Sequence, residues 1–166
     1  MTDLKALYEE DTVAWADNQA AALRAAAQGR SNLALDWENL AEEIEDLSKS
    51  RRRELHSRIR TVIEHLIKLQ HSPAALPRND WRDNIQSARI EIDALLEESP
   101  SLRPLLDAAI RKETSRGAKL AIRSLEARRE LNPALRSDLM NKSYLDLFAY
   151  APEQILGDWF PEEPKA

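Results

Sequence analysis

The stretch LDWENLAEEIEDLSKSRRRELHSRIRTVIEHLIKLQ, residues 35–70, decides the fold. It contains no proline and no glycine, and its apolar residues recur every three or four positions, which is typical of an amphipathic α-helix. We predict one helix from about Asp36 to Gln70. At 1.5 Å per residue it would be roughly 50 Å long, so it must bend, break or form the spine of the molecule. Its predicted core-facing residues are Trp37, Leu40, Ile44, Leu47, Leu55, Ile59, Val62, Leu66 and Leu69.

Capping residues, glycines and prolines predict the bounds of the other helices. Thr2 or Asp3 begins the first helix and Gly29 ends it, whereas the third begins at Asn79 or Asp80. The predicted helices cover approximately residues 4–28, 36–70, 80–98, 99–131 and 134–148, followed by a short helical turn in the tail EQILGDWF. No segment alternates apolar and polar residues over a useful length, so no strand is predicted.

These patterns predict an all-α fold, a helical bundle of four principal helices with a C-terminal helical extension. We expect residues 1–166 to form a single helical domain, with the tail 150–166 packing on the bundle. Trp15, Trp37 and Trp81 are expected to pack the first three helices together. Gly117 could introduce a kink in the fourth helix.

Composition and charge exclude or disfavour several classes of protein and of functional site. The chain has 166 residues, a net charge of -5 and a pI near 5.3, a balance that disfavours a general nucleic-acid binder. It has no cysteine, which excludes disulfides, thiolate metal sites and cysteine nucleophiles. Charges interrupt the N-terminus where a secretory signal needs an apolar core, and no apolar run is long enough for a membrane helix. We expect a cytoplasmic protein with no membrane contact.

Several motifs, in order along nearly the whole chain, resemble a known bacterial family. They are LYEEDTVAW (7–15), LDWENLAEEIEDL (35–47), RRELHSRI (52–59), HLIKLQ (65–70), WRDNI (81–85), EESPSLRP (97–104) and PEQILGDWFPEE (152–163). On these motifs the chain resembles the family called domain of unknown function 29, and LDWENLAEEIEDL is the most specific of them. The resemblance implies an all-helical single domain and implies no activity.

Charged residues near the predicted core-facing side of the long helix form one candidate site. The candidate polar pocket consists of Glu43, Arg51, Glu54, Arg58 and His65 of this helix, with Asp11 of the first helix. Burying such groups without a polar partner is costly, so these side chains could line a polar pocket inside the bundle. Alternatively they pair with one another in a structural network, or the long helix leaves the core there. The sequence favours these structural interpretations, since residues 48–54 include no apolar side chain.

Other catalytic and metal schemes lack their residues, so we predict no catalytic residue, no metal and no cofactor. His56, His65 and His71 lie in or just after one helix and point apart or lie more than about 20 Å apart along it. No Glu-x-x-His pair, glycine-rich phosphate loop or G-x-S-x-G motif is present.

A basic stripe is the second candidate site. Lys112, Arg116, Lys119 and Arg123 have spacings of four, three and four, which place them within about 60° on one helix face. An anionic partner could lie along this stripe. The structural alternative, which the sequence favours, is a solvated face neutralised by Glu113, Glu126 and Glu130.

Three functional hypotheses follow. The leading one is a non-enzymatic protein-interaction or regulatory module, with self-association through exposed parts of the long helix as one form of it. The second is a small-ligand binder or enzyme that uses the polar pocket around Glu43, Arg58 and His65. The third and weakest is binding of an anionic partner or nucleic acid through the basic stripe.

Overall fold

The computed structural model of the protein describes residues 4–29 and 33–164. Within these ranges every regular element is a helix, and no strand occurs. The elements are α1 (Leu4–Glu10), α2 (Thr12–Gln28), α3 (Trp37–His71), α4 (Arg78–Glu98), a 3₁₀ helix (Pro100–Leu105), α5 (Leu106–Ala127), α6 (Pro133–Asn141), α7 (Tyr144–Leu147) and α8 (Pro152–Leu156). The predicted all-α fold is confirmed, with α2, α3, α4 and α5 as its principal helices.

The long helix α3 runs without interruption for 35 residues. Asp36 accepts a hydrogen bond from the backbone N–H of Asn39 at 3.2 Å, so its carboxylate satisfies an N–H that has no partner within the helix. The predicted start and end of this helix each agree with the structure to within one residue.

The first predicted helix is divided at Asp11, so the prediction of one helix over 4–28 is wrong. Asp11 has an extended backbone (φ -158°, ψ 90°), and its side chain accepts a hydrogen bond from Ala14 N at 2.8 Å. The carboxylate therefore caps α2, which ends α1. The predicted caps Thr2 and Asp3 lie outside the described residues.

The fourth and fifth predicted helices are also divided by local signals. Residues Pro100–Leu105, with Pro104 inside, form a 3₁₀ helix before α5 begins. Asn132 caps α6, and Ser143 caps α7 in a reciprocal pair of hydrogen bonds with Asp146. The continuous helices predicted over 99–131 and 134–148 are therefore wrong in their bounds.

The chain divides into two compact units. The first contains the residues up to Leu55 together with Ala94–Leu105, and the second contains His56–Asp93 together with Leu106–Ala166. The expectation of a single domain over residues 1–166 stays a prediction.

In the first unit, α2 packs against the first half of α3 through small and polar side chains. Ala16 and Ala20 of α2 and Ala41 of α3 are buried. Ser48 Oγ donates to Asp17 Oδ1 at 2.6 Å, and Arg24 pairs with Glu45 at 2.9 Å. The covered side of α3 is therefore the side that carries Ala41, Glu45 and Ser48.

This packing corrects the predicted orientation of the first third of α3. Leu40 is 41% exposed and Leu47 is 50% exposed, while Trp37 and Ile44 are half-buried. The physical reason is that α2 meets α3 through alanines and a serine, which permit a close approach of the two backbones. The larger apolar residues lie about 80° around the helix from that contact.

The second unit has the larger apolar core. It buries Ile59, Val62, Ile63, Leu66 and Ile67 of α3 together with Trp81, Ile85 and Ile92 of α4. α5 continues through Gly117 without ending there. A Cβ atom at Gly117 would lie only 3.1 Å from the carbonyl oxygen of Arg60 and from Ile63 Cγ2, so the glycine permits the close approach of α5 to α3.

The C-terminal tail is held on α4 by a buried arginine. Arg89 donates hydrogen bonds to the carbonyl oxygens of Ile155 at 2.9 Å, Gln154 at 2.7 Å and Trp159 at 2.7 Å. Ile155 is fully buried. The tail therefore adds a buried apolar side chain to the second unit.

Candidate functional site

The basic stripe of α5 faces solvent along its whole length. Lys112, Arg116, Lys119 and Arg123 are all exposed. The buried residues of α5, such as Ala118 and Ala121, lie on the opposite side of the helix. The four side chains therefore share an exposed face of α5, and their role as a binding site stays a prediction.

The three glutamates expected to neutralise the stripe largely do not. Glu113 pairs with Arg116, but Glu130 accepts a hydrogen bond from Ser72 instead. Glu126 is exposed and forms no ion pair within the described residues. Three cations of the stripe, at 112, 119 and 123, consequently have no carboxylate partner in the described part of the chain.

Glu113 is a functional candidate that sequence reasoning missed. Its side chain is 0% exposed, yet it is charged and lies among three basic side chains. His56 Nδ1 lies 2.9 Å from one carboxylate oxygen, Arg116 Nη1 donates to the same oxygen at 2.9 Å, and Arg60 Nη1 donates to the other at 3.4 Å. Helical spacing in the sequence could have indicated this, because it places Glu113 on the covered side of α5, about 60° around the helix from the stripe.

A groove runs between α3 and α5 beside this carboxylate. The space lined by Arg60, Arg116, Lys119 and Leu120 has a volume of about 400 Å³. We call this space the cationic groove. Leu120 is 43% exposed and supplies its apolar wall. The groove can therefore accept an apolar side chain next to a negatively charged one.

The first third of α3 presents a contrasting surface. Asp36, Leu40, Glu43 and Leu47 are all exposed and follow the helix with spacings of four, three and four. We call these four residues the α3 row. Leucines alternate with carboxylates along it, so the row is both apolar and acidic.

The residues of the candidate polar pocket are distributed over both units. In the first unit, Arg51 pairs with Glu54 at 3.5 Å and with Glu98 at 3.2 Å. Asp11 caps α2 and also accepts hydrogen bonds from Ser101 N at 2.6 Å and Ser101 Oγ at 2.9 Å. Glu43 belongs to the exposed α3 row.

In the second unit, Arg58 pairs with Glu91 of α4. His65 lies on the same side of α3, seven residues further along. Its Nδ1 lies 2.8 Å from the carbonyl oxygen of Thr61, which can only accept, so Nδ1 carries the proton. Asn84 Nδ2 then donates to the unprotonated Nε2 at 3.4 Å.

Burial has the largest effect on the pKa of the His65 imidazole. Desolvation lowers the pKa of its imidazole, and the hydrogen bond to Thr61 opposes that shift in part. The neutral form agrees with the bonding of both ring nitrogens. Within the first unit, the structure thus pairs Arg51 with Glu54, whereas Asp11 and Glu43 have other surroundings.

The described ranges contain neither a metal-binding cluster nor a membrane-spanning helix. Over residues 4–29 and 33–164, no group of three or more His, Asp or Glu side chains is arranged to hold a metal ion. In the same ranges, no helix combines the length and the apolar character that crossing a membrane requires.

Comparison with known proteins gives a family and a related structure. The sequence pattern of Domain of unknown function DUF29 matches residues 7–160. The crystal structure of an alpha-helical protein of unknown function from Rhodospirillum rubrum is similar, with a TM-score of 0.68 and 29% sequence identity over 92% of this chain and 90% of that chain. No curated protein matches the sequence. A match over nearly its full length shows that the chain belongs to the DUF29 family of all-helical proteins.

Proposed function

We propose that this protein is a non-enzymatic protein-interaction module and that the α3 row is its docking surface. The observation that supports this best is the exposure of Leu40 and Leu47, at 41% and 50%, on a rigid helix. Apolar side chains in a regular row with nothing covering them are typical of an interaction site. A partner helix would bury them through the same three- and four-residue spacing.

The charge around the α3 row specifies the partner's chemistry. Residues 36–46 contain six carboxylates and no basic side chain. The occupant is therefore a helix with cationic side chains beside a small apolar surface, since opposite charges select the partner and speed its association. We propose that this interaction takes place in the cytoplasm, as a regulatory or scaffolding contact.

The test is the double variant Leu40→Ser/Leu47→Ser. The control is Leu76→Ser/Ile90→Ser, which removes two apolar side chains of the second unit that are 95% and 69% exposed. We expect the first variant to weaken association at least about tenfold, because two buried leucines are lost from the interface. The control should bind as the wild type does, and both variants should keep the wild-type melting temperature.

Sedimentation measures self-association, and pull-down with the full chain as bait measures binding of other proteins. A chain that is strictly monomeric and retains no partner contradicts the proposal. Equal association by the wild type and Leu40→Ser/Leu47→Ser also contradicts it, because the leucines would then lie outside the interface.

A second candidate function is a small-ligand site beside His65. Its support is the long 3.4 Å contact between His65 Nε2 and Asn84, which leaves the ring nitrogen a weak internal partner. A ligand with a hydrogen-bond donor could replace Asn84 there. Nuclear magnetic resonance of the imidazole during a fragment screen tests this function, and a ring signal that no fragment shifts rules it out.

A further inference from the structure

We propose that the partner of the α3 row is the basic stripe of a second copy of this chain. The inference rests on the proposed function and names its occupant. One copy contributes Asp36, Leu40, Glu43 and Leu47, and the other contributes the exposed cations of α5. The protein would therefore associate with itself through two different surfaces.

The two surfaces match in spacing. The α3 row and the basic stripe both follow their helices with intervals of four, three and four residues. In each case the exposed row spans twelve residues, and their eleven steps of 1.5 Å give a length of about 16 Å. The carboxylates at 36 and 43 are seven residues apart, as are the ammonium groups at 112 and 119, so both pairs are separated by about 10 Å.

The two surfaces also match in charge, and the charges are available. Lys112, Lys119 and Arg123 have no carboxylate partner in the described part of the chain, and Glu43 has no cationic partner there. Arg116 remains tied to the buried Glu113 and keeps its side chain fixed at the edge of the cationic groove. An isolated copy thus leaves opposite charges unpaired on two surfaces with the same geometry.

The apolar parts of the surfaces are complementary as well. The cationic groove, about 400 Å³ in volume, is walled by Leu120 and by the side chains of Arg60, Arg116 and Lys119. The methylene stems of lysine and arginine cover apolar surface while their charged ends stay in water. Leu40 or Leu47 of the second copy can enter this groove while Glu43 lies near the ammonium groups.

Charge reversal on each surface tests the contact directly. The stripe variant is Lys119→Glu, and the row variant is Glu43→Lys. Both positions are exposed, and no hydrogen bond or ion pair is described for their side chains, so both variants should fold. Each variant alone places like charges opposite each other, and we expect its self-association to fall at least about tenfold below that of the wild type.

An equimolar mixture of the two variants is the decisive measurement. In the mixture, the reversed position 119 of one variant meets the reversed position 43 of the other, and the unchanged Lys119 meets the unchanged Glu43, so both contacts again join opposite charges. We expect sedimentation to show a mixed complex with an affinity within about threefold of the wild type, weakening as sodium chloride is raised.

The outcomes separate this inference from the proposed function. If both charge-reversed variants associate as the wild type does while Leu40→Ser/Leu47→Ser does not, the stripe is not the occupant, and the α3 row still docks a partner. If the mixture fails to associate, the second-copy contact is overturned. If the wild type stays monomeric but retains DNA that the stripe variant loses, the stripe binds nucleic acid instead.

Discussion

Among single residues, Glu113 combines full burial with charge. Its partners are less buried than it is: the Arg60 side chain is 34% exposed and the Arg116 side chain is 54% exposed. The carboxylate therefore depends on the arginines, whereas the arginines can turn to water when it is absent. Replacing the two arginines and replacing Glu113 should therefore lower the stability of the protein by different amounts.

We predict that Arg60→Ala/Arg116→Ala destabilises the protein by about 3 kcal/mol, because it leaves a buried carboxylate with His56 as its remaining basic partner. Glu113→Gln should lower stability by only about 1 kcal/mol, since the amide oxygen can still accept and the arginines can reach water. Urea unfolding measures both changes. Equal losses in the two variants would contradict the proposed dependence of Glu113 on its partners.

The sequence predicted the exposed charged residues of the basic stripe better than it predicted the buried Glu113. The stripe from Lys112 to Arg123 could be predicted because helical spacing alone fixes which residues share a face. Glu113 was assigned to a solvated face, and its burial was missed because that burial depends on His56 and Arg60, which are more than fifty residues away along the chain. Likewise, Asp11 was assigned to the candidate polar pocket, and its partner is Ser101.

At the scale of elements, α3 shows what apolar periodicity can and cannot predict. Its bounds followed from the absence of proline and glycine over residues 36–70. The apolar pattern did not predict which side of the first third of α3 is buried. Ala41 and Ser48 are buried there, although their small side chains contribute little to such a pattern. The leucines that dominate the pattern are the residues left exposed.

The approach of α5 to α3 depends on Gly117, and its substitution gives a prediction for these elements. Gly117→Val should destabilise the protein by about 1–3 kcal/mol, because its Cβ would press on the Arg60 carbonyl and on Ile63 at 3.1 Å. The gain in helix propensity, below about 1 kcal/mol, is too small to offset this. Thermal unfolding followed by circular dichroism measures the loss.

Gly29→Ala is the control for this substitution. A Cβ at Gly29 would lie 3.5 Å from the nearest backbone oxygen, which is an ordinary contact. Its stability should stay within about 0.5 kcal/mol of the wild type. A Gly117→Val protein as stable as the wild type would mean that the two helices can separate without loss.

At the scale of the whole molecule, two half-buried histidines make the free energy of unfolding depend on pH. Desolvation lowers the pKa of both His65 and His71 in the folded protein below the ordinary value of 6.5. Below pH 6.5 the unfolded chain therefore binds protons that the folded protein does not. We predict that the free energy of unfolding decreases as the pH falls from 7 towards 5.

The double variant His65→Gln/His71→Gln should flatten this decrease, because glutamine does not titrate. Urea unfolding at several pH values between 7 and 5 measures the slope in both proteins. A variant whose slope equals that of the wild type would place the titrating groups elsewhere in the molecule.

The hydrogen bonds from Ser101 to Asp11 join residues ninety positions apart in the chain. During protein synthesis, Asp11 leaves the ribosome long before its partner exists. At about 5–20 residues per second, the delay is roughly 5–20 seconds. For that time the carboxylate has only α2 to cap, and the first unit lacks Ala94–Leu105. The order of synthesis therefore produces α2 well before Ser101, the residue that completes the contacts of Asp11.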